Sequence, residues 1–112
     1  MFEFYLYKRR MKKKGYHIHK VNKTVIEYYK MITKNHKNLS DMEVIKRLNR
    51  NLTIGRCQSI NELYLTVIYG ALSITLNKKT DTIIGISNGV YNRKNIDKSL
   101  KEELTKIFEV GE

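Results

Sequence analysis

Two histidines separated by one residue, His17 and His19, are the side chains whose type and spacing point most directly to chemistry. In an extended strand, residues two apart lie on the same face, so both imidazoles could hold one metal ion. Two histidines alone make a poor metal site, and the sequence shows no evident third ligand. Histidines near a basic segment also commonly lie beside phosphates or in water. We therefore expect no metal ion and no other cofactor.

The sequence offers no other recognisable catalytic pattern. Its single cysteine, Cys57, excludes an internal disulfide and a multi-cysteine zinc site, and a half-buried packing role is the simplest explanation for it. No glycine-rich phosphate loop, nucleophile elbow or carboxylate pair is present. We expect a protein that acts by binding, with no catalytic residues and no small-molecule ligand.

Positive charge is concentrated in the first half of the chain. The first 50 residues contain 14 of the 22 Lys and Arg residues and only four acids, which is a formal +10 of the total +11. The densest part is the run at residues 8–14. Such a field concentrates a polyanion at one end of the molecule, because nucleic-acid affinity comes largely from cations that neutralise phosphates. The composition therefore favours a nucleic-acid partner.

The first half of the chain shows strand and helix patterns in turn. Residues 1–7 alternate as strands do and residues 16–21 are strand-like, which predicts a hairpin with a basic tip or an extended arm. A helix is predicted over residues 23–35. Ser40 predicts the start of a second helix, because Glu43 three residues later completes a capping box. On this helix we expect Val44, Ile45 and Leu48 to be buried, with the cations on the opposite face.

A third helix is predicted from Ser59, where Glu62 repeats the capping-box spacing, to Gly70. Residues 63–69 are rich in β-formers, so a strand there stays open. Residues 72–76 and 82–86 predict a hairpin with a basic tip. Its inward side chains are expected to be Ile74, Leu76, Ile84 and Ile86. A C-terminal helix over residues 95–109 is striped by Ile96, Leu100, Leu104 and Ile107 or Phe108.

The order of three helices and a hairpin over about residues 23–87 resembles the winged helix-turn-helix DNA-binding proteins. The sharpest match is the capped helix at residues 39–49. The resemblance implies an α+β domain in which the third helix reads the major groove and the hairpin forms the wing. The chain would then be one DNA-binding domain over residues 1–112, with a basic arm (1–21), a winged-helix core (22–87) and a C-terminal helix (95–109).

Carried over residue by residue, the resemblance implies that Ser59 and Asn61 approach base edges, with Arg56 and Gln58 just before them, and that Lys78 and Lys79 form the wing tip. We expect the basic segments to grip the phosphate backbone. The complete set of predicted DNA-binding residues is Lys8, Arg9, Arg10, Lys12, Lys13, Lys14, Lys46, Arg47, Arg50, Arg56, Gln58, Ser59, Asn61, Lys78 and Lys79.

Three alternatives stay open. Residues 16–21 followed by two helices also resemble a ribbon-helix-helix. The His17-Ile18-His19 step followed by tyrosines is similar to the HUH endonucleases of plasmid replication and transfer, which implies a metal-dependent nuclease with Tyr28 or Tyr29 as the nucleophile. The basic surface also suits a protein-interaction module that binds an acidic host protein.

We conclude from the sequence that the chain binds double-stranded DNA with some sequence preference, as a regulator or as an accessory factor of phage or plasmid DNA processing. A homodimer is plausible because half-sites are commonly read in pairs. No targeting signal is visible, and no apolar run approaches the roughly 20 residues that span a bilayer, so we expect a cytoplasmic protein without membrane contact.

Overall fold

The computed structural model describes residues 17–32, 38–88 and 98–110. Several predicted features lie outside these residues: the strand at residues 1–7, Gly89 of the predicted turn at Asn88-Gly89, and Ile96. The predicted basic contacts Lys8, Arg9, Arg10, Lys12, Lys13 and Lys14 also lie outside them.

Within the described residues, three helices form where apolar stripes and caps predict them. They are α1 (Lys23–Ile32), α2 (Asp41–Ile54) and α3 (Lys98–Ile107). The predicted cap of α2 is confirmed, because the Ser40 hydroxyl accepts a hydrogen bond from the Glu43 backbone N–H at 3.1 Å. This cap places the apolar stripe of α2 towards the sheet, where Val44 and Leu48 are fully buried.

Five strands form one mixed sheet. They are β1 (Lys20–Val21), β2 (Arg56–Ile60), β3 (Tyr64–Tyr69), β4 (Leu72–Asn77) and β5 (Thr82–Asn88). The order across the sheet is β1-β5-β4-β3-β2. β2 to β5 form an antiparallel meander, whereas β1 pairs with β5 in parallel. The chain is therefore α+β, as the sequence predicts, with the predicted hairpin as its β4–β5 pair.

The predicted winged helix-turn-helix is wrong. The segment expected to form the third helix consists instead of β2, a turn and β3, so the described residues contain no helix at Ser59 that could read a groove. Asn61 makes this turn, because its side-chain Oδ1 accepts hydrogen bonds from the backbone N–H groups of Leu63 and Tyr64 at 2.9 and 2.7 Å. Gly70, predicted to end the helix, lies in the β3–β4 turn with φ of 59°.

The main core lies between one face of the sheet and the helices α1 and α2. It contains Val25, Ile26, Tyr29, Val44, Leu48, Leu52, Leu65, Val67, Ile74, Leu76 and Ile83. α3 packs beside α2 and buries a second cluster, which contains Ile54, Leu104, Phe108 and Val110. Of the two side chains proposed for the end of the α3 stripe, Phe108 is buried and Ile107 is exposed.

Two placements differ from the prediction. Ile84 is exposed, and Ile83 faces the core in its place, because the β4–β5 register shifts between Thr75 and Leu76 and resets the alternation. Arg47 and Arg50, predicted on the solvent face of α2, are buried at 8% and 2% exposure. None of the helices in the described ranges is long and apolar enough to cross a membrane.

Gly55, which joins α2 to β2, permits a close approach of the helix end to the sheet. A Cβ atom at this position would lie 2.2 Å from Val67 Cγ1 and 2.8 Å from the Ile68 carbonyl oxygen. We predict that Gly55→Ala lowers the free energy of unfolding by about 1–3 kcal/mol, measured by urea denaturation, because a packed core tolerates extra volume poorly. Gly85→Ala is the matched control. Its Cβ would meet nothing within 4 Å, so its stability should be unchanged or slightly higher. Equal losses in both variants would contradict this account.

Candidate metal centre

His17 and His19 lie in the segment that leads into β1, and they share one face as the sequence predicts. Their rings meet edge to face, with centroids 5.2 Å apart. His17 is exposed and His19 is buried, with 5% of its surface accessible. The pair therefore has one ring anchored in the protein and one ring at the solvent boundary.

Asp81 is the third group of the cluster. Its carboxylate contacts both rings, through Oδ2 to His17 Nε2 and through Oδ1 to His19 Nδ1 at 2.5 Å. An ionised carboxylate only accepts hydrogen bonds, so each ring nitrogen donates in this arrangement. The three possible ligand atoms all lie within 4.8 Å of one another. Among the described residues, this is the group of histidine, cysteine and carboxylate side chains arranged to hold a metal ion.

Backbone pairing brings Asp81 to the histidines. Asp81 ends the β4–β5 turn with φ of 56°, a left-handed conformation that aspartate tolerates better than most residues. Its carbonyl oxygen accepts a hydrogen bond from the Lys20 backbone N–H at 3.0 Å, and the Asn22 N–H donates to the Ile83 carbonyl at 3.1 Å. The parallel β1–β5 pair therefore continues up to the cluster and fixes its two halves in register.

Asn49 of α2 holds His19 from the helix side. Its Oδ1 accepts a hydrogen bond from the His19 backbone N–H at 2.7 Å, and its Nδ2 donates to the His19 carbonyl at 3.0 Å. The same Nδ2 donates to the Ile45 carbonyl at 2.8 Å. Asn49 is only 1% exposed. Its amide satisfies both backbone groups of His19, as a paired strand would do. The helix thus fixes the backbone from which the buried imidazole projects.

The charge states of His19 and Asp81 are those that bind metal ions, and a bound ion would require the imidazole proton to lie on the ring nitrogen that does not face it. Burial lowers the pKa of His19 and outweighs the hydrogen bond and the charge of Asp81, so this imidazole is neutral at neutral pH. Burial alone would raise the pKa of Asp81, but hydrogen bonds from His17 and His19 outweigh it and hold that pKa below its usual range. Neutral imidazole and ionised carboxylate are the forms that act as ligands.

The donor set fits a first-row divalent ion such as Zn²⁺ or Mn²⁺, which accepts imidazole and carboxylate ligands. Atoms bound to one such ion at about 2.0–2.2 Å lie roughly 3 Å or more apart, so the cluster must open slightly to admit it. Asp81 can move, because it lies on a turn and its side chain is 39% exposed. Three protein ligands would leave positions for water and substrate oxygen.

The structure places the residues that the sequence grouped as a DNA-reading site on a strand and two turns, and on no helix of the described residues. Arg56, Gln58 and Ser59 belong to strand β2, and Asn61 forms the turn after it. The predicted wing-tip residues Lys78 and Lys79 lie in the β4–β5 turn that also carries Asp81, and Lys78 Nζ donates to the Asn61 carbonyl at 2.6 Å. Lys46 is half-buried on α2 and lies 4.0 Å from the carboxylate of Glu109.

Sequence reasoning found the two histidines but missed Asp81 and Asn49. Asp81 is 62 residues from His19, and its local context is that of any polar hairpin turn. Asn49 lies within an amphipathic helix and gave no local signal.

No protein family, curated protein or solved structure shows significant similarity to the chain.

We predict that Asn49→Ala weakens Zn²⁺ binding at least about tenfold in calorimetric titration, because His19 loses the partner that fixes its backbone. The free energy of unfolding should also fall by about 2–4 kcal/mol, since buried backbone groups are left without partners. Asn51→Ala is the matched control, a buried asparagine on the same helix that accepts a hydrogen bond from Arg50 Nε at 3.1 Å. It should lose stability but bind Zn²⁺ as the parent does. Unchanged affinity in the Asn49 variant would refute the positioning role.

Proposed function

We propose that this protein is a divalent-metal-dependent phosphodiesterase that acts on nucleic acid, with the ion held by His17, His19 and Asp81. One observation carries the proposal: ligand atoms from two segments more than 60 residues apart meet at one point. Surface histidines seldom share a carboxylate, and here the backbone of the buried histidine is fixed from two sides. Such support is typical of metal sites, where neighbouring groups orient the ligands.

The charge of the chain supports a nucleic-acid substrate. A formal net charge of +11 at pH 7, most of it in the first 50 residues, raises the local concentration of polyanions around the molecule. Nucleic acids are the polyanions whose backbone is built of phosphodiesters, which divalent ions activate towards hydrolysis. The cytoplasmic location expected from the sequence is part of this proposal, since such substrates are present there.

An ion held by His17, His19 and Asp81 would supply Lewis-acid chemistry, which polarises a phosphodiester oxygen and lowers the pKa of a bound water molecule. The water oxygen forms a bond to phosphorus while the bond from phosphorus to one sugar oxygen breaks. The departing oxygen takes up the proton that the water loses. The products are a phosphomonoester and a free hydroxyl group, and no oxidant or second substrate is required.

A water nucleophile fits this chain better than the tyrosine implied by the HUH resemblance. Tyr29 is 6% exposed within the main core, and burial raises the pKa of its phenol, which disfavours the phenolate. Tyr28 is partly exposed on α1, but none of the contacts of the described residues connects it with the cluster. We therefore assign neither tyrosine a covalent role.

A second candidate is the function expected from the sequence, namely double-stranded DNA binding without catalysis. The concentration of positive charge favours it. The helix expected to read the groove is not among the described elements, because the segment that was predicted to form it consists of β2, a turn and β3. Binding of an acidic protein by the basic surface remains a further outcome that the experiments below distinguish.

We predict that metal-free protein leaves labelled single-stranded and double-stranded oligonucleotides intact, and that Mn²⁺ or Zn²⁺ restores cleavage of at least one of them. Asp81→Asn should reduce both metal affinity and cleavage, the latter about 100-fold or more, because it removes the anionic ligand while keeping a residue that tolerates a positive φ. Gel analysis of the products and calorimetric titration of the metal measure the two effects.

Asp41→Asn is the matched control. Asp41 is an exposed aspartate whose Oδ1 accepts a hydrogen bond from Lys30 Nζ at 2.7 Å, away from the cluster in sequence and in its contacts. It should cleave and bind metal as the parent does. Intact substrate with every divalent ion tested, or equal activity in the Asp81 variant, overturns the nuclease proposal. A mobility shift without cleavage would then favour binding alone, and the absence of any shift would favour a protein partner.

A further inference from the structure

The sheet has a second face that the helices α1 and α2 do not cover. Side chains alternate along each strand, and Leu65, Val67, Ile74 and Leu76 point into the main core. The intervening side chains of β3 and β4 therefore point to the opposite side. We call this side the open face and define it by Lys20, Arg56, Ser59, Tyr64, Thr66, Thr75, Asn77 and Thr82, all exposed or half-buried.

Strand register arranges these side chains in rows. Ser59, Thr66 and Thr75 are paired in succession, followed by Gly85 on β5, and the Thr66 and Thr75 hydroxyls are 3.3 Å apart. The middle of the open face is therefore a band of small hydroxyl groups on three strands, which ends at Gly85 on the fourth. A Cβ atom added to Gly85 would meet nothing within 4 Å.

A second row lies next to the turn that carries Asp81. It runs from Tyr64 through Asn77 and Thr82 to Lys20. Tyr64 is 39% exposed, so part of its aromatic ring is available at the surface. The row at the other end contains Arg56, which is exposed, but also Ile68 and Ser73, which are buried within the chain. The accessible part of the open face is thus the middle row, the Tyr64 row and the side chain of Arg56.

The charge of the sheet suits an anionic partner. None of the five strands contains an aspartate or glutamate, whereas they contain Lys20 and Arg56. The acids of the described residues lie on the helices, in turns or after α3, at Glu27, Asp41, Glu43, Glu62, Asp81, Glu102, Glu103 and Glu109. A polyanion on the open face would contact hydroxyls, amides and cations, and no strand would present a carboxylate that repels it.

We propose that the open face binds a single strand of nucleic acid, with a base stacked on Tyr64, hydroxyls of the middle row bonded to the backbone or base edges, and phosphates near Lys20 and Arg56. Aromatic side chains on a sheet stack unpaired bases, and this contact tolerates any sequence. Reading the bases of a duplex instead uses a helix or a two-stranded ribbon that enters a groove. The segment predicted to supply that helix is part of this sheet, so the face suits a single strand.

The proposal rests on the proposed function in one respect, since it names the substrate class of the metal centre. The Tyr64 row is next to that centre along the chain, because Thr82 follows Asp81 and Lys20 follows His19, but His19 faces α2, so a bound strand would pass over the edge of the sheet to reach the centre. Binding on the open face nevertheless requires no metal ion, so binding and cleavage can be measured separately.

The test is fluorescence anisotropy of labelled oligonucleotides of about 12 nucleotides, a length within the usual range for single-strand sites, in EDTA and physiological salt. The full chain is titrated against single-stranded RNA, single-stranded DNA of the same sequence, and the corresponding duplex. We expect a single strand to bind at least about fivefold more tightly than the duplex. Tyr64→Ala should weaken single-strand binding about tenfold, as loss of one stacking contact does. The RNA and DNA arms show whether the 2′-hydroxyl contributes.

Tyr28→Ala is the matched control, because Tyr28 is 36% exposed and lies on α1 on the other side of the sheet. It should bind as the parent does. Thr75→Val, which keeps the shape of the side chain but loses its hydroxyl, should weaken binding about threefold and provides a second probe that preserves the strand.

Equal effects of the two tyrosine variants, or a duplex bound as tightly as the single strand, would overturn the proposal. These outcomes differ from a failure of the nuclease proposal. If the Tyr64 and Thr75 variants cleave as the parent does, the open-face proposal is rejected and the metal-centre proposal stands. If binding depends on Tyr64 but no metal-loaded form cleaves, the open-face proposal stands and the nuclease proposal is rejected.

Discussion

The arrangement of this molecule depends on the parallel pairing of β1 with β5. In a parallel pair the strands begin side by side, so the residues that precede each strand are neighbours. His17 and His19 precede β1, and Asp81 precedes β5, which is why the three groups meet. The pairing covers only Lys20 with Thr82 and Val21 with Ile83. The connection between these strands contains both core helices and three strands, so the cluster joins the two ends of the main core.

Two residues of parallel pairing are too little to hold a segment firmly, and α2 supplies what is missing. The Asn49 amide satisfies both backbone groups of His19 and also bonds to Ile45, and it is nearly inaccessible to solvent. A buried amide with three hydrogen bonds has no freedom to rotate without leaving polar groups unpaired. His19 is therefore the anchored group of the cluster, whereas Asp81 lies on an exposed turn. One anchored and one exposed ligand would suit the proposed metal site, where water must give way to substrate.

Local patterns predicted the elements that local chemistry determines. The Ser40 cap, the buried stripe of α2, the β4–β5 hairpin and the stripe of α3 all depend on neighbours within a few residues. The predicted third helix failed because the spacing of Ser59 and Glu62 matches a capping box, while Asn61 between them makes a turn and residues 64–69 pair with β4, the next strand along the chain. Asp81 was not predictable from its local sequence, since its contact with the histidines exists only through the β1–β5 pair. The candidate metal cluster thus combines one local signal, the histidine pair, with one long-range contact.

In the folded chain, part of the positive charge of the first half is paired or buried and is less available to a partner. Several of its described cations are engaged within the helical layer, where Lys30 bonds to Asp41, Arg47 bonds to Glu43 and Arg50 is buried against Asn51 and Thr105. A buried or paired cation contributes less to the field that a polyanion meets than an exposed one. The helices α1 and α2 therefore offer less positive charge to a partner than the sequence suggests. The strands contain no acids, so the sheet face and the basic residues that precede His17 are where we expect phosphate to be held.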